Sequence, residues 1–391
     1  MPLMREFPAS AANQVTLANW RTAPFNQWSF HHVRELIPTA DIPAGAPGTH
    51  PWPAAPVDLS GITVDGSAGP CSFDQWQADT ATDGLVVVHK GRIVHESYAN
   101  GMGPGTPHIL MSVSKSMLGL VAGILAGRRV IDTARAVTDY VPEVRDTAFR
   151  GATIRDLLDM RVSVAFDEDY LATSGPIIAY RRAQGWNPAV PGDPPSDLRS
   201  FFTTLVATDG RHGDRFHYVS PCTDLLGWVI ERAAGRRYAD LMSELLWQPM
   251  GAETNAYITV DRLGAPRAAG GQCTTTRDLA RVGQLVLDGG RGIVPADWIE
   301  DIWSNGDADA WATGSFTEYY PGRRMHYRSK WYVEHGDTPL LFCLGVFGQN
   351  LFVDRQNEIV VAKFSSQAPP LDTGLIEATA RGVAAIRRAL S

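Results

Sequence analysis

Cysteine and lysine are both scarce in this 391-residue chain. Its four cysteines show no Cys-x-x-Cys spacing, which argues against a zinc site or a disulfide framework and favours reduced core thiols. Charges of either sign form no long run and the formal net charge is -7, so nucleic acid is not an expected partner. No segment approaches the roughly 20 apolar residues of a membrane span, and residues 1–17 lack a run of signal-peptide length. We therefore expect a soluble, cytoplasmic protein without a membrane partner.

Motifs of several common enzyme classes are absent as well. There is no Gly-x-Ser-x-Gly elbow, which argues against an α/β-hydrolase. The glycine-rich segment 101–105 follows no Rossmann-type unit, so phosphate binding is not expected. His212, Asp214 and His217 could be read as metal ligands, but their spacing fits no common helical metal site. The sequence thus predicts neither a metal nor an organic cofactor.

The order of the predicted elements indicates the fold class. Strand patterns lie towards both ends of the chain and helical patterns lie between them, which predicts an α+β fold (an α/β sandwich) with an antiparallel sheet flanked by helices. We expect residues 1–145 and 280–391 to form a sheet-plus-helix domain, in which residues 1–75 wrap over the main body. Residues 146–279 are expected to form an inserted, mainly helical subdomain.

Individual elements are predicted from apolar periodicity and from turn and cap residues. The predicted strands are a hairpin over 84–98 that turns at Lys90-Gly91, and the runs 340–346, 351–353 and 359–362. The predicted helix boundaries are an end at Gly127, a start after Thr153, an N-cap at Ser220 with an end at Gly235, an N-cap near Thr275, and a last helix over about 375–390.

Ser112 and Lys115 form a Ser-x-x-Lys tetrad between a strand-like run, 109–111, and a long apolar helix. Residues three apart share a helix face, so the hydroxyl and the amine can meet, as Ser-Lys acyl transfer requires. The chain has four lysines against 31 arginines, so Lys115 is not needed for solubility. Burial on the first turn of an enclosed helix would lower its pKa and let it accept the serine proton. The alternative is an N-cap serine beside a surface lysine, and the tetrad alone leaves both interpretations open.

Tyr218-Val219-Ser220 lies immediately before a predicted helix. A tyrosine in that position can project its phenol into a cleft and relay a proton to a leaving group. The alternative is an ordinary half-buried tyrosine, one of eleven in the chain.

Together these segments resemble the serine β-lactamase and penicillin-recognising (DD-peptidase-like) family, and in particular its class C-like branch of esterases and amidases. The resemblance implies that Ser112 is the nucleophile, Lys115 the general base and Tyr218 the proton relay. It also implies that the backbone N–H groups of Ser112 and Val346 bind the oxyanion. The family's third motif aligns with Cys343-Leu344-Gly345, which lacks the usual cation and hydroxyl, so β-lactam hydrolysis is not expected.

Within that branch the chain is most similar to the nylon-oligomer hydrolases, which cleave 6-aminohexanoate dimers. The likeness implies a substrate-orienting role for Tyr170 and substrate contacts at Gly345 and Arg181. An arginine stands at position 181, where some of these enzymes use an acidic residue to hold the substrate amine. We therefore predict a serine hydrolase of small linear amides or esters. The alternatives are a short-chain carboxylesterase and a non-catalytic penicillin-fold binding protein. The expected partners are a small-molecule amide or ester substrate and a second copy of the chain in a homodimer.

Overall fold

The structure is a computed structural model, and it describes residues 3–45, 52–66 and 69–391. The strands in these ranges are β1 (Thr39–Ile42), β2 (Thr63–Gly66), β3 (Gly69–Ser72), β4 (Thr82–His89), β5 (Arg92–Tyr98), β6 (His108–Ile109), β7 (Ala256–Thr259), β8 (Gln272–Thr274), β9 (Met325–Arg328), β10 (Trp331–Glu334), β11 (Leu340–Gly345), β12 (Gln349–Asp354) and β13 (Ile359–Ser365).

The α-helices in the same ranges are α1 (Asn26–Ser29), α2 (Phe73–Asp79), α3 (Val113–Gly127), α4 (Val137–Tyr140), α5 (Ile154–Leu158), α6 (Pro176–Ala183), α7 (Leu198–Phe202), α8 (Ser220–Ala234), α9 (Tyr238–Met242), α10 (Thr276–Leu287), α11 (Ala296–Ser304), α12 (Ala308–Ala312) and α13 (Thr373–Leu390). None of these helices combines the length and the apolar character that crossing a membrane requires.

The largest sheet has seven antiparallel strands in the order β5-β4-β13-β12-β11-β10-β9. Within this sheet, the pairing of β4 with β13 joins strands from the two ends of the chain, as the sequence predicted. A second sheet, β1-β7-β8-β6, ends at the strand that leads to Ser112. Helices flank the large sheet, so the predicted α+β class is confirmed.

Helix α3 is enclosed by protein, because every residue from 113 to 125 is buried. Its glycines allow neighbouring elements to approach closely. A Cβ at Gly119 would lie 2.2 Å from the carbonyl oxygen of Ser329, and one at Gly123 would lie 2.5 Å from the Trp298 ring. The helix that follows Ser112 is therefore fixed against the β9–β10 turn and α11.

The structure corrects several predicted boundaries. The strand before Ser112 covers His108–Ile109 alone, and the chain leaves the sheet two residues earlier than predicted. Ser220 is the first residue of α8, and Val219 is its N-cap. Strands β9 and β10 were not predicted. Helix α8 ends at Gly235, which has φ of +64° in the left-handed region, as expected.

The N-terminal segment was predicted to wrap over the body; residues 1, 2, 46–51, 67 and 68 of it lie outside the described ranges. In the described part, β1 pairs with β7, and Trp20 packs edge-on against Trp186 with ring centroids 5.1 Å apart. The segment thereby forms a small second core with Met111 and Phe347, which are the chain neighbours of Ser112 and Val346. The division of the chain into two domains remains a prediction.

Candidate active site

Ser112 stands at the junction between a sheet and a helix. It directly precedes α3, and Met111 before it has φ of +46°, a conformation that is uncommon for residues other than glycine. This turn directs the Ser112 side chain towards Lys115 one helical turn later, and Lys115 Nζ lies 2.8 Å from Ser112 Oγ. The structure thus brings the predicted pair into hydrogen-bond contact.

Lys115 is almost completely inaccessible to solvent, with 1% of its surface exposed. Burial lowers the pKa of Lys115 well below its usual range, and the nearby Glu168 carboxylate opposes this only in part. Its amine donates a hydrogen bond to the carbonyl oxygen of Ala269 at 2.8 Å. A neutral amine held in this way still has a lone pair that can accept the Ser112 proton.

Tyr218 lies on the other side of the same amine. The Lys115 nitrogen is 4.9 Å from the centre of the Tyr218 ring, and the phenol hydroxyl interacts with the Ser112 side chain. Burial raises the pKa of Tyr218 far above its usual range, so the phenol keeps its proton at neutral pH. The ring stacks on Phe316 at 4.6 Å, which fixes its orientation. Tyr218 is therefore placed as a proton donor.

The predicted oxyanion donors come from two irregular segments of backbone. Within the described residues, neither the Ser112 nor the Val346 N–H donates to another backbone group. Phe347, directly after Val346, has φ of +65°. Val346 lines the pocket that contains Ser112, whereas Gly345 is not among the described residues that line it. A Cβ at Gly345 would lie 2.7 Å from the Leu110 carbonyl oxygen, so this glycine allows β11 to approach the turn before Ser112.

Glu168 connects several parts of the site. One oxygen accepts a hydrogen bond from the backbone N–H of Ser220 at 2.6 Å, and the other accepts from the Tyr170 hydroxyl at 3.0 Å and from the Ser220 hydroxyl. Ser220, the last residue of the Tyr-x-Ser motif, therefore serves to fix this carboxylate. The sequence analysis assigned no role to Glu168.

A buried network of hydrogen bonds and an ion pair around Asp224 positions the backbone group that binds Lys115. Asp224 accepts hydrogen bonds from Arg267 at 2.7 Å and from the Ala269 N–H at 2.7 Å. Its other close donor is the Tyr180 hydroxyl at 2.5 Å. The network fixes Ala269, whose carbonyl group in turn holds the Lys115 amine. Asp224 is thus a positioning residue that the sequence analysis did not identify.

The two predicted substrate-binding side chains, Tyr170 and Arg181, both line the pocket beside Ser112. The Arg181 guanidinium donates to the Tyr170 carbonyl oxygen at 2.9 Å. Arg21, from the N-terminal segment, lines the same pocket and was missed. No local pattern distinguishes Arg21 from the other 30 arginines, because its hydrogen bond is to Asn187, 166 positions away along the chain.

The residues considered as metal ligands make other contacts. His212 Nδ1 accepts a hydrogen bond from the Ser163 N–H at 3.2 Å, and His217 Nδ1 lies 3.8 Å from Asp209. Across the described ranges, no group of three His, Cys, Asp or Glu side chains is arranged to hold a metal ion.

Comparisons with known proteins agree with this geometry. The family model described as Beta-lactamase matches residues 73–386. The 6-aminohexanoate-dimer hydrolase of Paenarthrobacter ureafaciens is 35% identical over 368 residues, which cover 93% of this chain and 91% of that protein.

Solved structures extend the similarity to the fold. A Bacillus anthracis protein assigned provisionally as a 6-aminohexanoate-dimer hydrolase superposes with a TM-score of 0.88 at 27% identity, covering 98% of both chains. EstCE1, a hydrolase with promiscuous acyltransferase activity, superposes with a TM-score of 0.62 at 18% identity, covering 81% of this chain and 96% of that chain. The latter likeness concerns the fold alone.

Proposed function

The chain belongs to the beta-lactamase family of hydrolases, and on that premise we propose that it cleaves amide or ester bonds of small linear substrates through an acyl-enzyme on Ser112. One observation carries the proposal: a buried lysine amine with a strongly lowered pKa lies 2.8 Å from the hydroxyl of Ser112. This arrangement gives the serine a base at neutral pH.

Acylation begins when the neutral Lys115 amine accepts the Ser112 proton as Oγ attacks the substrate carbonyl carbon. The N–H groups of Ser112 and Val346 stabilise the oxyanion, each by about 3 kcal/mol in the transition state. Tyr218 then donates its proton to the leaving nitrogen or oxygen and recovers one from Lys115. The bond to the leaving group breaks, and the amine or alcohol departs.

Deacylation repeats these steps with water as the nucleophile. The neutral Lys115 amine accepts a proton from the water, the tetrahedral intermediate occupies the same oxyanion site, and Ser112 Oγ leaves with a returned proton. The products are a free carboxylic acid and regenerated enzyme. The side chains described supply each proton transfer.

A non-catalytic binding protein is less well supported. Burying Lys115 beside the Ser112 hydroxyl costs stability, because desolvation penalises the charged amine, and a catalytic role would account for this cost. A binding protein would also not need the phenol of Tyr218 beside the hydroxyl of Ser112. The same groups serve amides and esters equally, so the site itself is compatible with the carboxylesterase alternative.

The experiment that tests the proposal compares two substrates, p-nitrophenyl acetate and the linear 6-aminohexanoate dimer. Wild type is expected to hydrolyse at least one of them. Ser112→Ala should lower kcat by about 10³-fold or more, because the covalent step is lost. The preferred substrate then distinguishes an esterase from an amidase.

Ser114→Ala is the matched control. Ser114 lies two residues further on and is buried, whereas Ser112 is half-buried, and the Ser114 hydroxyl accepts a hydrogen bond from the Gln272 N–H at 3.2 Å. This variant should remain active if it folds, as judged by its melting temperature. Hydrolysis that persists in Ser112→Ala, or absence of turnover by wild type together with no covalent labelling of Ser112, would refute the proposed function.

A further inference from the structure

The pocket beside Ser112 contains three arginines, and we call it the arginine pocket: Arg21, Arg181 and Arg267 line it together. Burial, with repulsion from Arg181 and Arg267, lowers the pKa of Arg21 to about 9. Arg267 is neutralised by Asp224 at 2.7 Å. The other two guanidinium groups are the ones that can bind a ligand.

Arg21 and Arg181 donate side-chain hydrogen bonds to uncharged oxygen atoms. Arg21 donates to the side-chain oxygen of Asn187 at 2.6 Å, and Arg181 donates to the backbone carbonyl of Tyr170 at 2.9 Å. Within the part of the chain that the structure describes, neither forms a salt bridge to a carboxylate. Cations in such a partly desolvated pocket attract an anion more strongly than surface arginines do.

Aromatic side chains hold the arginines in position. The Arg21 and Arg267 guanidinium carbons lie 5.9 and 5.1 Å from the centre of the Trp186 ring, and Arg21 is also 5.4 Å from the Trp20 ring. Such cation–π contacts fix a guanidinium without using all of its N–H donors. The donors are therefore preorganised for a ligand.

Gln184 provides a second, independent indication of a missing ligand. Its side chain lines the arginine pocket and only 1% of the residue is exposed, yet both its amide nitrogen and its amide oxygen lack a hydrogen-bond partner among the described residues. Buried polar atoms are normally paired. A bound carboxylate would accept hydrogen bonds from this amide and from the arginines.

Glu168 is the one carboxylate that lines the arginine pocket among the described residues. Its oxygens already accept three hydrogen bonds, two from Ser220 and one from Tyr170. Among the described residues this carboxylate forms no salt bridge with Arg181, although its charge and that of Asp169 oppose the lowering of the Arg181 pKa by burial. Arg21 and Arg181 together outnumber the one carboxylate of the lining, so a net positive charge remains.

A second cleft adjoins the site, and its charge is of the opposite sign. Tyr218 lines it, together with four carboxylate side chains besides that of Glu168: Asp167, Asp169, Asp209 and Glu318. An anionic group would be repelled there. Because Tyr218 supplies the proton to the leaving group, the leaving group occupies this acidic cleft and the acyl group extends into the arginine pocket.

We propose that the acyl part of the substrate ends in a carboxylate that binds Arg21 and Arg181. The preferred substrates are then half-amides or half-esters of aliphatic dicarboxylic acids. Hydrolysis breaks the bond between the acyl carbon and the leaving group and adds water, which releases the dicarboxylic acid and an amine or alcohol. The inference rests on the proposed function, because Ser112 and Tyr218 define which side is acyl.

The test uses three p-nitrophenyl esters with acyl chains of similar length, derived from adipic acid, monomethyl adipate and 6-aminohexanoic acid. These chains end in a carboxylate, a neutral ester and an ammonium group. We expect kcat/KM to be about 10-fold higher for the carboxylate than for the neutral chain, and lowest for the ammonium. Arg181→Gln should reduce the ratio between the first two substrates by about 10-fold, since it removes a charge-assisted hydrogen bond.

Arg182→Gln is the matched control, because Arg182 is the next residue of α6 but points to Asp193, 3.7 Å away on the surface. This variant should keep the wild-type ratio. Equal turnover of the three esters, or preference for the ammonium chain, would overturn the inference while leaving Ser112-dependent hydrolysis intact.

A binding measurement separates the two proposals if no ester is hydrolysed. Calorimetry with Ser112→Ala protein and free adipate is expected to show binding that Arg181→Gln weakens by about 10-fold. Absence of adipate binding would overturn the proposal that the arginine pocket binds a carboxylate, independently of whether Ser112 is catalytic.

Discussion

The proton affinities of two buried side chains determine what the site can do. Desolvation acts in opposite directions on them, because it disfavours an ammonium ion and a phenolate alike. Lys115 therefore tends to be neutral and Tyr218 tends to remain protonated. A neutral amine and a protonated phenol thus both lie beside Ser112, without an ion pair between them.

The first prediction concerns Lys115 and pH. Because the amine must be neutral to accept the Ser112 proton, kcat/KM should rise with pH through the lowered pKa of Lys115 and reach a plateau well below pH 10.5. Lys115→Met should lower kcat/KM by about 10³-fold and abolish its rise with pH, the acid limb of the profile. Steady-state rates from pH 5 to 10 measure both effects.

Lys90→Met serves as its control, because Lys90 is exposed in the β4–β5 turn. Its profile should match that of wild type. An acid limb that persists unchanged in the residual activity of Lys115→Met would assign the titration to another group.

A second prediction concerns the phenol. Tyr218→Phe keeps the ring that stacks on Phe316 and removes only the hydroxyl. We expect kcat to fall by about 10²-fold, the usual contribution of a general acid, while the melting temperature changes little. Substrates with a good leaving group such as p-nitrophenol should be less affected than amides. Full amidase activity in this variant would exclude Tyr218 as the proton donor.

How far sequence could predict the site depended on where the contacts of each residue lie. Ser112 and Lys115 are one helical turn apart, so their spacing indicated that the hydroxyl and the amine could meet, and the structure shows this contact. Glu168 and Arg21 act through residues distant in sequence, and nothing local identifies them. The catalytic roles themselves stay predictions.

Helix α3, which carries Lys115, is packed closely between other parts of the fold. Gly119, one turn after Lys115, contacts the backbone of the β9–β10 turn. The close approach explains a glycine in the middle of a helix, where alanine would otherwise be favoured by about 1 kcal/mol.

Gly119→Ala should therefore destabilise the protein despite improving helix propensity. The added Cβ would lie 2.2 Å from the Ser329 carbonyl oxygen, so backbone has to shift, at a cost of about 1–3 kcal/mol. Chemical denaturation measures this change. Gly374→Ala, on the first turn of α13, meets only the Asp372 side chain at 3.2 Å and should be neutral or stabilising. Equal effects of the two substitutions would contradict the packing argument.

The hairpin formed by β9 and β10 shows why some elements escaped prediction. Its turn consists of Ser329 and Lys330, which have φ of +48° and +73°. Hairpin turns with positive φ normally use Asn or Gly, and neither is present. The burial of these strands in a large sheet supplies the stabilisation that the turn residues lack. By contrast, the Lys90-Gly91 turn carries the usual glycine and was predicted correctly.

For the molecule as a whole, buried lysines link folding to pH. Burial lowers the pKa of Lys330 and of Lys363 to about 7, from an ordinary value of 10.5. Between about pH 7 and 10.5 the unfolded chain carries these lysines protonated, whereas the folded protein carries them neutral. The unfolded state thus binds more protons, so the free energy of unfolding rises with pH across this window.

Lys363→Met tests this linkage. The substitution should reduce the slope of the free energy of unfolding between pH 7.5 and 9.5 by about 1 kcal/mol per pH unit. Denaturant titrations at several pH values provide the slope, and Lys90→Met, which replaces an exposed lysine, should leave it unchanged. A slope that Lys363→Met does not alter would show that Lys363 remains charged in the folded protein.

The overall architecture was accessible from sequence because the strands of the large sheet come from the two ends of the chain and most of the helices lie between them. The contribution of the N-terminal segment to the pocket could not be predicted from sequence, because Trp20 and Arg21 contact Trp186 only through tertiary packing. The substrate specificity that we infer therefore depends on the whole molecule.

The most direct test of the account is covalent labelling with a fluorophosphonate, followed by peptide mapping by mass spectrometry. The account predicts a single adduct on Ser112, formed at a rate that rises with pH through the lowered pKa of Lys115 and strongly reduced in Lys115→Met. An unlabelled protein, or an adduct on another residue, would contradict it.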